Sequence, residues 1–150
     1  MFKSITDLLT QPDIRIAVVG ASDNPDKFGH KIYRDLKHKG YRLFPVNPNR
    51  PSVDGDRAYA NLRALPQAPD IVNLVVPPEA SLQTAIECLK LGIDNIWLQP
   101  GAESPDVLAF LRDNGFNYLS GACIMIKTRR AHTANPAHTP LSGISKIPEN

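Results

Sequence analysis

The stretch IRIAVVGAS, residues 14–22, decides the fold. Its first six residues are apolar and mostly β-branched, interrupted only by Arg15 and ended by Gly20, which marks a strand buried on both faces. The period then changes. Ile32, Tyr33 and Leu36 share one face of a helix expected over His30 to Lys39, and Gly40 supplies its stop. The same alternation continues outward. YRLFPV (41–46) reads as a strand whose Pro45 places it near an end, followed by the polar turn NPNRPSVDGD and a short helix around Ala58 to Leu65. Ile71 to Val76 is the third strand, broken by Asn73 and stopped by Pro77 and Pro78. Pro78 and Glu79 suit a first helical turn, Leu82, Ala85, Ile86 and Leu89 give that helix its apolar stripe, and Gly92 ends it. Asn95 to Leu98 is the fourth strand. Ser104, Pro105 and Asp106 open a helix that runs to Asn114 and is closed by Gly115, and NYLSGACIMI (117–126) supplies a fifth strand and a closing segment.

Strands alternating with helices build right-handed βαβ units, so the expected fold is α/β: one domain with a doubly wound, five-stranded parallel sheet in the order 3-2-1-4-5. At 150 residues the chain can bury roughly 70% of its unfolded surface and folds without disulfides or metal. The domain is expected over residues 1–130. Beyond it the composition turns proline-rich and aperiodic, so residues 131–150 read as a mobile tail, with Leu141, Ile144 and Ile147 as the groups able to dock it. No apolar run approaches the roughly 18 residues of a membrane span, and MFKSITDLLT lacks the apolar stretch of a secretory signal, so a cytoplasmic location is expected.

Charge is more informative by place than by sum. Seventeen Lys and Arg against 15 Asp and Glu is too even a balance for a nucleic-acid binder. Residues 27–50, however, hold Lys27, Lys31, Arg34, Lys37, Lys39, Arg42 and Arg50 against the single acid Asp35. Such a cluster suits a small anionic ligand, although Lys31, Arg34, Lys37 and Lys39 also read simply as the solvated face of one helix.

In a doubly wound sheet the ligand crevice opens at the carboxyl ends of the strands, where the strand order reverses beside the first strand. Four segments should meet there: GAS (20–22), PVNPNR (45–50), VPPE (76–79) and LQPGA (98–102). Gly20, Ala21 and Ser22 lead toward a helix N-terminus, a backbone cradle for phosphate to which Lys27 adds a point charge. The spacing is not G-x-G-x-x-G, because Ala21, Asp23 and Pro25 stand where further glycines belong. An NAD site places an acid at the end of the second strand. Here stand Asn47, Pro48 and Arg50, with no acid before Asp54. Asn47 can reach a ribose or base edge and Arg50 can fork onto a phosphate, including the 2′-phosphate of NADP.

Together with GYRLFPVNPNR, DIVNLVVPPE, IWLQPGA and GACIMI, the GAS turn resembles the small stand-alone CoA-binding proteins. These are single Rossmann-like domains similar to the CoA-binding domain of succinyl-CoA synthetase and other acyl-CoA ligases that form nucleoside diphosphate. The resemblance spans about residues 10–126. It implies coenzyme A, free or acylated, with its diphosphate on Gly20, Ala21 and Ser22. The adenosine and 3′-phosphate would lie near Asn47, Pro48 and Arg50, the last in place of a ligase lysine. Val76, Pro77, Leu98, Gln99 and Pro100 would form the remaining walls. In those ligases the phosphohistidine and nucleotide-handling parts belong to further domains, so these 150 residues are expected to be a binding domain without that machinery.

Catalytic groups are scarce. His30, at the start of the first helix, is a candidate ligand contact. Cys123 in GACIMI reads as a small buried hydrophobe, as does Cys88 in mid-helix, and a disulfide between them is not expected. His132 and His138 lack the partners of a zinc site. Neither a Ser-His-Asp set nor a carboxylate pair stands out. The sequence thus points to a non-catalytic CoA carrier, sensor or partner subunit, without nucleic acid or membrane, and it leaves a protein partner unidentified. Two alternatives stay open: a small NADP-dependent reductase using the same crevice, and an interaction protein with a vestigial pocket.

Overall fold

A computed structural model describes residues 4–131. Five strands, β1 (Arg15–Val19), β2 (Arg42–Val46), β5 (Ile71–Leu74), β6 (Asn95–Leu98) and β7 (Asn117–Leu119), form one parallel sheet in the order β2-β1-β5-β6-β7. The doubly wound α/β fold expected from the sequence is present. A short helix α1 (Ile5–Leu8), α2 (Phe28–His38) and α5 (Ile124–Lys127) pack on one face. On the other lie α3 (Pro78–Leu91) and α4 (Pro105–Asp113). Side-chain alternation along β1 feeds both cores: Ile16 and Val18 join Ile32, Leu36, Trp97 and Ile124, while Ala17 and Val19 join Leu74, Ala85, Leu98 and Leu111.

The strand numbering needs one correction. Tyr59 makes a single parallel bridge to Val46, with its N–H donating to the Pro45 carbonyl and its carbonyl accepting from Asn47, both at 2.9 Å. That bridge holds the edge position outside β2 that the 3-2-1-4-5 order gives its third strand. The strand at Ile71–Leu74, third among the long strands, takes the fourth place beside β1. The pattern survives with its edge strand reduced to one residue. For the same reason the helix expected over Ala58 to Leu65 is only a 3-10 turn at Leu62–Ala64, since the chain before it is spent on the bridge. Pro45 is tolerated within β2 because neighbouring residues face opposite edges: Val46 accepts from Gly20 on the β1 side, leaving Pro45 toward the outer edge.

The segment read as a polar turn contains a hairpin. β3 (Ser52–Val53) and β4 (Asp56–Arg57) are antiparallel, joined by Asp54 and Gly55 at φ 50° and 80°. Two successive positive φ values are the geometry that Asp-Gly favours in a two-residue hairpin loop. Its anchors rise from α2. Lys37 Nζ lies 3.0 Å from the carboxylates of both Asp54 and Asp56, and the Tyr33 hydroxyl donates to Asp56 at 2.6 Å. Lys39 reaches Asp35, the Met125 carbonyl and Thr128 Oγ1. Two of the four lysine and arginine groups read as solvated are therefore half-buried fasteners, whereas Lys31 and Arg34 are exposed.

The helix starts and stops follow the sequence closely. Pro77 and Pro78 open α3, Gly92 ends it at φ 75°, and the Ser104 hydroxyl caps α4 by accepting from the Val107 N–H at 3.2 Å. The inward stripe of α3 is rotated from the expected one: Ser81, Ala85 and Cys88 are buried and Leu89 is 45% exposed. The closing segment folds as strand and then helix, tied by Trp97 Nε1 donating to the Ala122 carbonyl. The proposed tail lies outside the described residues except for Ala131, whose N–H donates to the Lys39 carbonyl at 2.7 Å. No helix of the described residues is long and apolar enough to cross a membrane.

Candidate functional site

The crevice begins with two glycines that let backbone approach backbone. Gly20 leaves β1 at φ 100°, and a Cβ there would lie 2.2 Å from the Val75 carbonyl oxygen. Gly29, in the first turn of α2, has no space either: its Cβ would lie 1.9 Å from the Gly20 carbonyl oxygen. The N-terminus of α2 is thereby pressed onto the β1 turn. Lys27 occupies the cap position with no side-chain capping bond, so the opening of this helix stays available to a ligand. Sequence reasoning missed Gly29. Its signal was a glycine just ahead of the helix expected from His30; the structure starts that helix two residues earlier, at Phe28, and so takes Gly29 into its first turn.

Two cavities flank this junction and share Gly20, Lys27, Val75, Val76 and Pro77 as walls. The first, about 660 Å³, is bounded by the end of β2 with Asn47, Pro48 and Arg50, and by Gln83, Thr84 and Glu87 of α3. The second, about 560 Å³, runs past Phe28 and Gly29 to Gln99, Pro100, Gly101 and Cys123. Of the residues singled out from sequence, Gly20, Ser22, Lys27, Asn47, Pro48, Arg50, Val76, Pro77, Gln99 and Pro100 line one or both. Three stand back from the walls. Leu98 is fully buried in the core, Ala21 is fully buried in the loop, and His30 turns its Nδ1 to the Ser22 carbonyl at 3.3 Å. Phe28, Gln83, Thr84 and Glu87 are walls that were not foreseen, because they sit on helix faces whose direction only the packed structure defines.

The polar groups of the site are mostly held by the protein. Asn47 Nδ2 donates to the Ala21 carbonyl at 2.8 Å and its Oδ1 accepts from the Asn49 N–H at 2.8 Å, so the amide braces the β2 turn against the β1 turn. Ribose contact, expected of Asn47, is not what orients it. Arg50 Nη1 lies 3.8 Å from Asp23 Oδ2. Glu87 accepts from the N–H groups of Leu62 and Arg63 at 3.4 and 3.3 Å and pairs with Arg63, holding the 3-10 turn against α3. Lys27 makes no ion pair among the described residues.

At the far end Gln99 is almost wholly buried. Its Oε1 accepts from the Ile124 N–H at 2.9 Å and from Asn73 Nδ2 at 3.2 Å, and its Nε2 donates to Cys123 Sγ at 3.2 Å. Asn73, the polar break in the third strand, thus exists to fix Gln99. Cys123 differs from expectation: it is half-buried and forms part of the cavity wall rather than the core. Cys88 behaves as read, fully buried, its thiol pushed up to about 12 by burial and by Glu87. Both cysteines are free. Among the described residues no group of three His, Cys, Asp or Glu is placed to hold a metal; His132 and His138 lie outside those residues.

Comparison with known proteins agrees with this geometry. A segment of 82 residues, 54% of the chain, is 37% identical to the alpha subunit of ADP-forming acetate–CoA ligase II from Pyrococcus furiosus, of which it spans only 18%. The uncharacterized protein YneT of Bacillus subtilis is 30% identical over 118 residues, 79% of this chain and 87% of that one. A conserved hypothetical protein of known structure from Pyrococcus furiosus superposes with a TM-score of 0.74 at 44% identity, covering 77% of this chain and 99% of the other. Residues 15–129 match the model of the CoA binding domain, a span that takes in every strand of the parallel sheet and both cavities, and the chain belongs to that family.

Proposed function

We propose that this chain binds coenzyme A, free or as a thioester, along the crevice at the carboxyl ends of the strands, as a carrier, sensor or partner subunit without a reaction of its own. The observation that carries the reading is the meeting of two cavities at the Gly20–Gly29 junction. A ligand with an anionic centre and two dissimilar arms suits it. The diphosphate faces the uncapped start of α2 and Lys27, where backbone N–H groups and the helix dipole favour negative charge. The adenosine arm with its 3′-phosphate extends toward Arg50 and the α3 side, and the pantetheine arm lies along Val76, Pro77 and Pro100 toward Gln99 and Cys123. Membership of the family and the likeness to an acetate–CoA ligase subunit support the same ligand. Among the described residues no histidine or carboxylate is hydrogen-bonded to Cys123, so the thiol has no partnered base to activate it.

Calorimetric titration with CoA, NADP and NAD tests the reading. CoA is expected to bind far more tightly than either dinucleotide, because β2 ends in an asparagine that is already engaged and carries no ribose-binding acid. NADP binding as tight as CoA, or tighter, overturns it and favours a reductase.

A further inference from the structure

Arg50 is already engaged by the protein itself. Its guanidinium lies 3.8 Å from Asp23, in the turn after β1, and both side chains are about one-third or more exposed. Asp23 cannot simply swing aside when an anion arrives. Its second oxygen accepts the Asp54 N–H at 2.7 Å, and Asp54 is the first residue of the hairpin loop, held in turn by Lys37 through both its carboxylate and its carbonyl at 3.0 Å. The chain Arg50–Asp23–Asp54–Lys37 therefore fixes a carboxylate next to the one arginine that lines the adenosine-side cavity.

We propose that Asp23 is a built-in competitor for Arg50 that lowers the affinity of the site for ligands carrying a phosphate at that position. The inference rests on the reading that CoA occupies the crevice with its 3′-phosphate toward Arg50. Binding such a ligand exchanges one counter-ion of Arg50 for another and leaves Asp23 facing the incoming dianion without its cation. A ligand lacking that phosphate leaves the Asp23–Arg50 pair in place and pays no such cost. Asp23 thus keeps the complex readily reversible, a useful property in a carrier or sensor, and a substitution beside the site should tighten binding instead of weakening it.

The test is calorimetric titration of CoA and of dephospho-CoA into wild type, Asp23→Asn, Arg50→Ala and the double variant. Asparagine retains an oxygen to accept the Asp54 N–H, so the turn keeps its anchor while the charge is lost; thermal melts of each variant monitor folding. Asp23→Asn should tighten CoA about three- to tenfold, the combined size of releasing a half-exposed ion pair and removing a nearby like charge. Dephospho-CoA should not follow, the gain should shrink at high salt, and in the Arg50→Ala background it should fall to the smaller part that comes from removing the like charge. Weaker CoA binding by Asp23→Asn overturns the proposal and makes Asp23 a ligand acceptor. An equal gain for dephospho-CoA, or a gain undiminished without Arg50, also overturns it, by showing only a general field on the diphosphate. If wild type binds CoA and Asp23→Asn does not improve it, this inference alone fails; if wild type binds no CoA, the proposed function fails and this inference with it.

Discussion

Gly29→Ala sets two effects of opposite sign against each other. In an open helical position alanine is favoured over glycine by about 1 kcal/mol, so a reading from propensity alone makes the change stabilising. The structure puts the new methyl 1.9 Å from the Gly20 carbonyl oxygen, more than 1 Å inside the closest contact that real Cβ atoms show. No side chain can yield, because the obstacle is backbone. Gly20 is itself fixed by its N–H donating to the Val46 carbonyl at 3.0 Å and by the carbonyl of Val75 close on its other side. Relief requires α2 to retreat from β1, which strains the packing of Ile32 and Leu36, both fully buried. Overpacking typically costs about 1–3 kcal/mol and occasionally more; with a backbone obstacle that cannot yield, the cost here is about 3–4 kcal/mol, so the net loss after the propensity gain of about 1 kcal/mol is about 2–3 kcal/mol. For a chain of this size that lowers Tm by about 4–12 °C, measured by circular dichroism or calorimetry. CoA affinity should fall as well, since the displaced elements are the ones the two cavities share. A Tm equal to or above that of wild type would falsify the argument that the helix start is pressed onto the turn.

Three further outcomes are expected. Arg50→Ala should weaken CoA about tenfold while leaving dephospho-CoA nearly unchanged, because charge-assisted bonds to the 3′-phosphate are lost in one case only; equal losses would make Arg50 a mere support of the turn. Thiol titration of the native protein near pH 8 should detect Cys123 and not Cys88, whose thiol burial pushes up to about 12, with both reacting after denaturation; two thiols reacting at the same rate in the native state would refute the burial of Cys88. Burial alone would lower the pKa of Lys37, but hydrogen bonds and attraction from Asp56 and Asp54 outweigh it and leave the value above 10.5. A raised value in the folded state means that its contribution to stability is whole below pH 10.5 and is lost as pH climbs through the raised value, so the deficit of Lys37→Met relative to wild type should shrink there. A deficit that persists unchanged at strongly alkaline pH would show that packing of the lysine stem, not its charge, holds the hairpin.

Much of the architecture was legible because it is written locally. Proline and serine at helix starts, glycine at helix ends and short β-branched runs each carry their own physical reason, and the strands at 15–19, 42–46, 71–74 and 95–98 fall where those signals put them. The features that escaped depend on contacts between segments distant in sequence. Gly29 matters because of a carbonyl nine residues earlier that folding brings to it, and Lys37 is a fastener because a hairpin 17 residues later returns to it. The Asp-Gly pair at 54–55 was a readable hairpin signal, obscured by the prolines around it. Asn47 and Cys123 were visible as residues but not as contacts: one braces the β2 turn against the β1 turn while lining the cavity, the other is a wall instead of core.

The one-residue bridge at Tyr59 bears on how this molecule meets others like it. An edge strand normally offers a row of open N–H and C=O groups on which another chain can add, the first step toward aggregation. Along the outer side of β2, Pro45 has no N–H to offer, its carbonyl is taken by Tyr59, and the Asn47 N–H is taken as well. The chain then leaves into an antiparallel hairpin that belongs to no larger sheet. The Pro45–Asn47 end of this margin is thus closed by a proline and a single tyrosine, which shortens the template that a crowded solution finds there for strand addition.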